Sequence, residues 1–287
     1  MTRGSNNLGG TLPILCFHAI EEGPGPLCFP PAAFERQVRR LREAGWRSLR
    51  VSEVAARIAA GRGFPRRALA FTFDDGFASV HSGALDALDA AGFTATVYPA
   101  TAYLGGVSSW MDGEASRLRM LAPAQLRELH AAGWEVGGHT HSHASLPALG
   151  EAEIAAELGA STEILEDLVG GPVRTFAYPY GLHDARSRAA ASAVYEACVE
   201  NGASKATASS PLDRLERVEA WYLRRAWQLD HLDDWLGDAY LALRRAGRAL
   251  RRRATPPRAA PGLAPSGLRW ESRPRPPDGA SGAPRGE

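Results

Sequence analysis

Along this chain, compact runs of large apolar residues alternate with longer stretches in which apolar positions recur at helical spacing. The compact runs predict strands at 13–18, 69–74, 94–99, 135–138, 175–179 and 204–208. The longer stretches predict helices at 31–44, 51–60, 79–91, 123–132, 151–169 and 184–201. Three of these helical stretches end in "EAGW", "AAGF" or "AAGW", with a glycine just past the last turn, the usual way to stop a helix. Strand–helix alternation of this kind argues for an α/β protein with a mostly parallel sheet, open or closed into a barrel.

From Trp235 to Arg253 the pattern stays helical and becomes basic, with Arg244, Arg245, Arg248, Arg251, Arg252 and Arg253. This helix reads as a solvated face, with contact to anionic lipid at a membrane surface as the alternative. Residues 254–287 are rich in Pro, Gly and Arg with few apolar anchors, a composition expected to form a disordered tail. The expected division is a flexible N-terminus over 1–10, one domain over 11–243, a basic helix end over 244–253, and that tail.

Composition narrows the function classes. The 287 residues can bury a sizeable core, and a formal net charge of +1 removes any global electrostatic case for nucleic acid. The three cysteines, Cys16, Cys28 and Cys198, are widely spaced and form no CxxC, so a disulfide framework is not expected, and Cys16 and Cys198 read as small core residues. Neither a secretory signal nor a stretch of transmembrane length is visible, so the expected location is cytoplasmic, with peripheral membrane contact as the variant.

The chemistry begins where the apolar run 69–73 stops at two adjacent carboxylates, Asp74 and Asp75, followed by Gly76. Ligands of parallel α/β folds bind at the carboxyl ends of strands. Neighbouring strand residues point to opposite faces, so both carboxylates reach one site only if the chain turns there. Taken alone, the pair is more often a turn or helix cap. A second candidate, "HTHSH", follows 135–138. His139 and His143 are four apart, and one helical turn would put both imidazoles on one side, a common chelating arrangement. About 0.2 such pairs are expected by chance in a chain with this many histidines. His141 is the expected bystander. A third, "RTFAYPYG", places Arg174 before a strand and Pro179, Tyr180 and Gly181 after it. Arg174 reads either as a solvated charge or as a guanidinium holding a carboxylate ionised. All three segments end candidate strands and so fall on one rim.

"TFDDG", "HTHSH" and "RTFAYPYG", in this order, resemble the first three motifs of the polysaccharide deacetylases (NodB-type domains, carbohydrate esterase family 4), over about residues 12–243. The resemblance implies a distorted (β/α) barrel and a metal-dependent hydrolase that removes N-acetyl groups from an N-acetylated sugar or polysaccharide. It implies Asp75, His139 and His143 as metal ligands and Asp74 as the catalytic base, with Arg174 orienting it. It further implies that the backbone N–H of Tyr180 stabilises the oxyanion. The ligand set suits zinc, with cobalt or nickel also fitting. "LPILCFHAI" resembles the Pro-x-Leu-x-Tyr/Phe-His start of a branch that includes poly-N-acetylglucosamine deacetylases. There the early histidine, here His18, is the candidate acid; His231 is the rival. Trp110, Pro179 and Tyr180 are the expected substrate-binding residues, with loop packing an equal reading for Trp110. Rival functions are the same machinery acting on an O-acetyl ester or a non-sugar amide, and a carbohydrate-binding homologue without catalysis.

Overall fold

Two neighbouring parallel strands carry the site, and their alternation explains where the side chains go. In the computed structural model, which describes residues 8–23 and 25–254, β1 is Ile14–Phe17 and β2 is Ala68–Asp75. All eight residues of β2 are buried, because helices cover one face and the opposite face lines the interior. Leu69, Phe71 and Phe73 join the helix-side core, whereas Ala68 and Ala70 belong to a separate internal cluster. Thr72 and Asp74 continue that inward row by two-residue alternation. On the outer face, Phe73 stacks on Trp134 and Phe17 with centroids 5.2 and 5.4 Å apart. Each such side chain buried contributes about 1.5–3 kcal/mol.

The sheet continues through β3 (Ala95–Pro99) to β4 (Glu135–Val136), all in parallel. A parallel bridge between Gly138 and Phe176 passes to β5 (Thr175–Ala177), which pairs with β6 (Ala197–Glu200) and then β7 (Leu215–Glu216). One residue later β8 (Val218–Glu219) pairs with β1, Val218 opposite Leu15 and Glu219 opposite Cys16. The circuit thus runs back to its start as a distorted (β/α) barrel, with its ladder interrupted beside Gly138 and at Arg217.

Helices α1 (Pro31–Glu43), α2 (Val51–Ala59), α3 (Ala78–Ala91), α4 (Pro123–Ala131), α5 (Glu151–Val169) and α6 (Ala185–Val194) surround the strands. Their buried stripes, such as Phe34, Val38 and Leu41 on α1 and Val80, Ala84 and Leu88 on α3, fall at the expected helical spacing. After α7 (Ala226–Asp230), helix α8 runs Trp235–Ala254. Among the described residues, no helix is long and apolar enough to cross a membrane.

Four expectations change. The stretch expected as one helix over 184–201 is α6 followed by β6, since Tyr195, Ala197 and Val199 are buried as β6 pairs on both sides. The expected strand over 204–208 is only Ala206–Thr207, antiparallel to Thr11–Leu12 and outside the parallel circuit. No strand was expected at 215–219, where β7 and β8 lie either side of Arg217. Of the expected flexible residues 1–10, Leu8–Gly9 pair with Phe64–Pro65. Residues 1–7 and the expected tail beyond Ala254 lie outside the described residues.

Candidate metal and catalytic site

Asp74 ends the inward row of β2 and is 3% exposed. The turn that brings Asp75 beside it lies in Asp75 itself, at φ 68°, and in Gly76, at φ 87°. Gly76 is obligatory here for a second reason. A Cβ at this position would lie 2.7 Å from the Pro99 Cβ and 2.9 Å from its Cα, so a side chain would displace β3.

His139 and His143 reach Asp75 from the loop after β4. That loop is not the helical turn expected from their spacing. Thr140 and His143 both adopt positive φ, 61° and 58°, and fold the loop back so that both rings face the same carboxylate. His139 Nε2 lies 3.3 Å and His143 Nε2 3.0 Å from Asp75 Oδ1. The ligand atoms of the three residues all lie within 4.8 Å of one another, and all three residues are buried.

The donor set tests itself for a cation. His139 Nδ1 is 2.7 Å from the Ala177 carbonyl, which can only accept, so this nitrogen carries the proton. In the neutral ring Nε2 then holds a lone pair aimed at a carboxylate oxygen. Two such acceptors need a positive centre between them, which is the chemistry of a metal ligand set. Burial alone would raise the Asp75 pKa, but the imidazoles of His143 and His139 beside it hold it well below the usual carboxylate range. His143 is pulled down by burial, against the opposing pull of Asp75.

Glu157 on α5 fixes the loop. Its carboxylate accepts the backbone N–H groups of His141 and Ser142, both at 2.8 Å, and the Ser142 hydroxyl at 2.6 Å. His141 turns away, its Nδ1 2.9 Å from the Thr101 hydroxyl. Glu157→Ala is expected to lower divalent-metal affinity by about 10–100-fold, the usual effect of losing a ligand's support. Chelator competition measures it, and an unchanged affinity would mean that the loop holds its shape without Glu157.

The partner of Asp74 differs from the expectation. Arg174 lies on the surface, its side chain 51% exposed and paired with Glu196. Arg217, between β7 and β8, occupies the place foreseen for it. Its Nη1 donates to Asp74 Oδ1 at 2.6 Å and its Nη2 to Oδ2 at 2.5 Å. Nη1 also reaches the Thr72 hydroxyl at 3.1 Å, and the guanidinium lies 5.9 Å from the centre of the Tyr98 ring. Arg217 is 0% exposed. Burial raises the Asp74 pKa, but the charge and hydrogen bonds of Arg217 prevail and hold it below the ordinary value. The available signal was the arginine inside the alternating segment "LERVEA".

His18, one residue past β1, faces this group. Burial lowers its pKa, yet the carboxylates of Asp75, Glu219 and Asp74 raise it overall, with Arg217 opposing. His231 pairs with Asp234 at 2.6 Å beyond α7. Trp110 packs its ring against Tyr103 and His143, with centroids 4.3 and 4.9 Å apart. Its Nε1 is buried without a hydrogen-bond partner among the described residues. Tyr180 sits at φ 60°, its ring 4.6 Å from that of His143 and 42% exposed. Burial, then Asp75, pushes its phenol up to about 12. Pro179 beside it is buried.

The parallel circuit has counterparts among solved structures. Streptococcus pyogenes deacetylase PplD, solved in complex with acetate, superposes with a TM-score of 0.64 at 23% identity, covering 73% of this chain and 92% of that one. Bacillus cereus BC0361, a polysaccharide deacetylase, gives 0.61 at 25% identity, covering 73% and 64%. These define the NodB-type fold. Residues 61–197 match the family model for polysaccharide deacetylase, and the fold around them is that of the NodB-type deacetylases. Bacillus subtilis YxkH is 23% identical over 208 residues, 72% of this chain and 70% of that protein. The poly-beta-1,6-N-acetyl-D-glucosamine N-deacetylase of Staphylococcus aureus is 27% identical over 158 residues, and the chain spans about half, 52%, of its length. His18 and Arg217 fall outside the matched segment and enter the site through β1 and β8, the two strands next to β2 on its far side.

Proposed function

We propose that this protein is a metal-dependent hydrolase that removes N-acetyl groups from an N-acetylated carbohydrate. One observation carries the reading: three convergent lone-pair donors, Asp75, His139 and His143, stand beside a separate carboxylate, Asp74, whose charge Arg217 secures. Two nitrogens and one oxygen suit zinc, and cobalt or nickel would also be accepted. A divalent ion there would polarise the acetyl carbonyl and acidify the attacking water.

The remaining work falls to the chain. Asp74 takes the proton of the attacking water, and Arg217 keeps it ionised and oriented. The Tyr180 backbone N–H stabilises the oxyanion that develops on the acetyl carbon's oxygen. His18 gives a proton to the departing sugar amine, its imidazolium form favoured by the surrounding carboxylates. Trp110, Pro179 and Tyr180 form walls for the substrate.

Purified protein should hold one divalent ion and release acetate from N-acetylated glycans in preference to O-acetyl esters. Asp75→Asn, His139→Ala and His143→Ala should each lower metal content, while His141→Ala spares it. Full occupancy in all three ligand variants would sink the assignment. For His18, the readout is a ratio. His18→Ala should slow cleavage of an amide far more than that of an activated ester, whose leaving group departs unprotonated. Equal slowing of both substrates would remove His18 from the acid role.

A further inference from the structure

The active-site face holds a second group of metal-type donors outside the Asp75 set. Cys16 and His18 lie two apart at the end of β1 and so project to one side. Glu219 is the register partner of Cys16 on β8 and projects beside it. One ligand atom from each of Cys16, His18 and Glu219 lies within 4.8 Å of the others. Cys16 and Glu219 sit on adjacent parallel strands and His18 directly follows β1, so the strand pairing itself brings the three together.

We propose that Cys16, His18 and Glu219 form a second, weaker site for a thiophilic divalent cation such as zinc or cadmium, and that filling it inhibits the enzyme. Sulfur, imidazole nitrogen and carboxylate oxygen are the donor types of a zinc site, and thiolate selects zinc or cadmium over magnesium or calcium. Two features make it the weaker site. Arg217, already bound to Asp74, places a positive charge nearby. The Cys16 thiol, buried and 3.6 Å from Asp74 Oδ2, must also lose its proton to solvent as the S–metal bond forms. The first equivalent of metal therefore goes to Asp75, His139 and His143, and the second here. Inhibition rests on the proposed role of His18: an imidazole nitrogen bound to a cation cannot hand a proton to the amine. Binding itself does not depend on that role.

The test uses the full chain loaded with one equivalent of zinc and titrated with cadmium. Metal per protein is followed by elemental analysis and thiolate ligation by the ultraviolet thiolate-to-cadmium absorption band. The wild type should take up a second equivalent with the band and lose acetate release over the same range. Cys16→Ser should lose the band, Cys28→Ser should keep it, and His18→Ala or Glu219→Gln should raise the cadmium midpoint at least tenfold. A wild type without the band, or a band that survives Cys16→Ser, overturns the site. So does a midpoint that ignores both His18 and Glu219, since that describes a thiol acting alone. Should the band form while the rate stays constant, the site stands and the acid role of His18 fails.

Discussion

Replacing Arg217 with methionine is expected to abolish most acetate release and to cost about 3–5 kcal/mol of stability, the range for removing one partner of a buried ion pair. The whole domain is expected to be stable by only about 5–15 kcal/mol, so the loss should be visible in a melting curve. The cause is not the lost attraction alone. Asp74 would remain buried without a counter-charge, and burial, the largest influence on it, would then raise its pKa. In the native protein its folded pKa lies below the unfolded value. Its contribution to stability is therefore present above the unfolded value and lost as pH falls through the folded one. In the variant the sign reverses: Asp74 favours folding only while protonated, and the acid limb of the rate profile moves to higher pH. Arg217→Lys keeps the charge but not the two-pronged geometry, and should fall between. Arg174→Ala should change neither rate nor stability appreciably, since its partner Glu196 is half exposed. A silent Arg217→Met alongside a damaging Arg174→Ala would reverse the two arginines.

Asp74→Asn should reduce the rate by about 10²–10⁴-fold, the usual contribution of a positioned base. Metal content should stay normal, because Asp74 is not in the donor set. This variant separates the adjacent carboxylates: Asp75→Asn should lose metal and rate together, and Asp74→Asn rate alone. An asparagine also leaves Arg217 buried without its counter-ion, so part of the cost should appear as lower thermal stability. The rate must therefore be taken well below the melting transition. A near-normal rate there would assign the base to another group.

How far the sequence can be read follows from where its signals lie. The strand over 69–74 was legible because a long apolar run ends abruptly in charge, and the observed Ala68–Asp75 adds one residue at each end. Helix α5 was legible to the residue, since its periodicity is long and a glycine closes it. The strands at 215–219 were not, because two-residue strands carry no period and Arg217 makes the segment look like surface. The same short strands hid the partner of Asp74. Arg174 seemed close because it lies within a recognised motif, whereas proximity to Asp74 is set by β8 pairing with β1, a contact no local pattern announces. The histidine pair was found for a reason only half correct. Spacing of four suggested a helical turn, and two left-handed residues produce the convergence instead.

The pairing of β8 with β1 also sets a clock for biosynthesis. Cys16 leaves the ribosome about 200 residues before its neighbour Glu219, an interval of roughly 10–40 s at ordinary elongation rates. Through that interval β1 can pair with β2 but keeps its other edge open, apolar and able to recruit a strand from another chain. Asp74 meanwhile waits for the guanidinium that makes its burial tolerable. Nascent chains arrested before residue 217 should therefore depend on chaperones, and those extended beyond residue 219 should become resistant to protease.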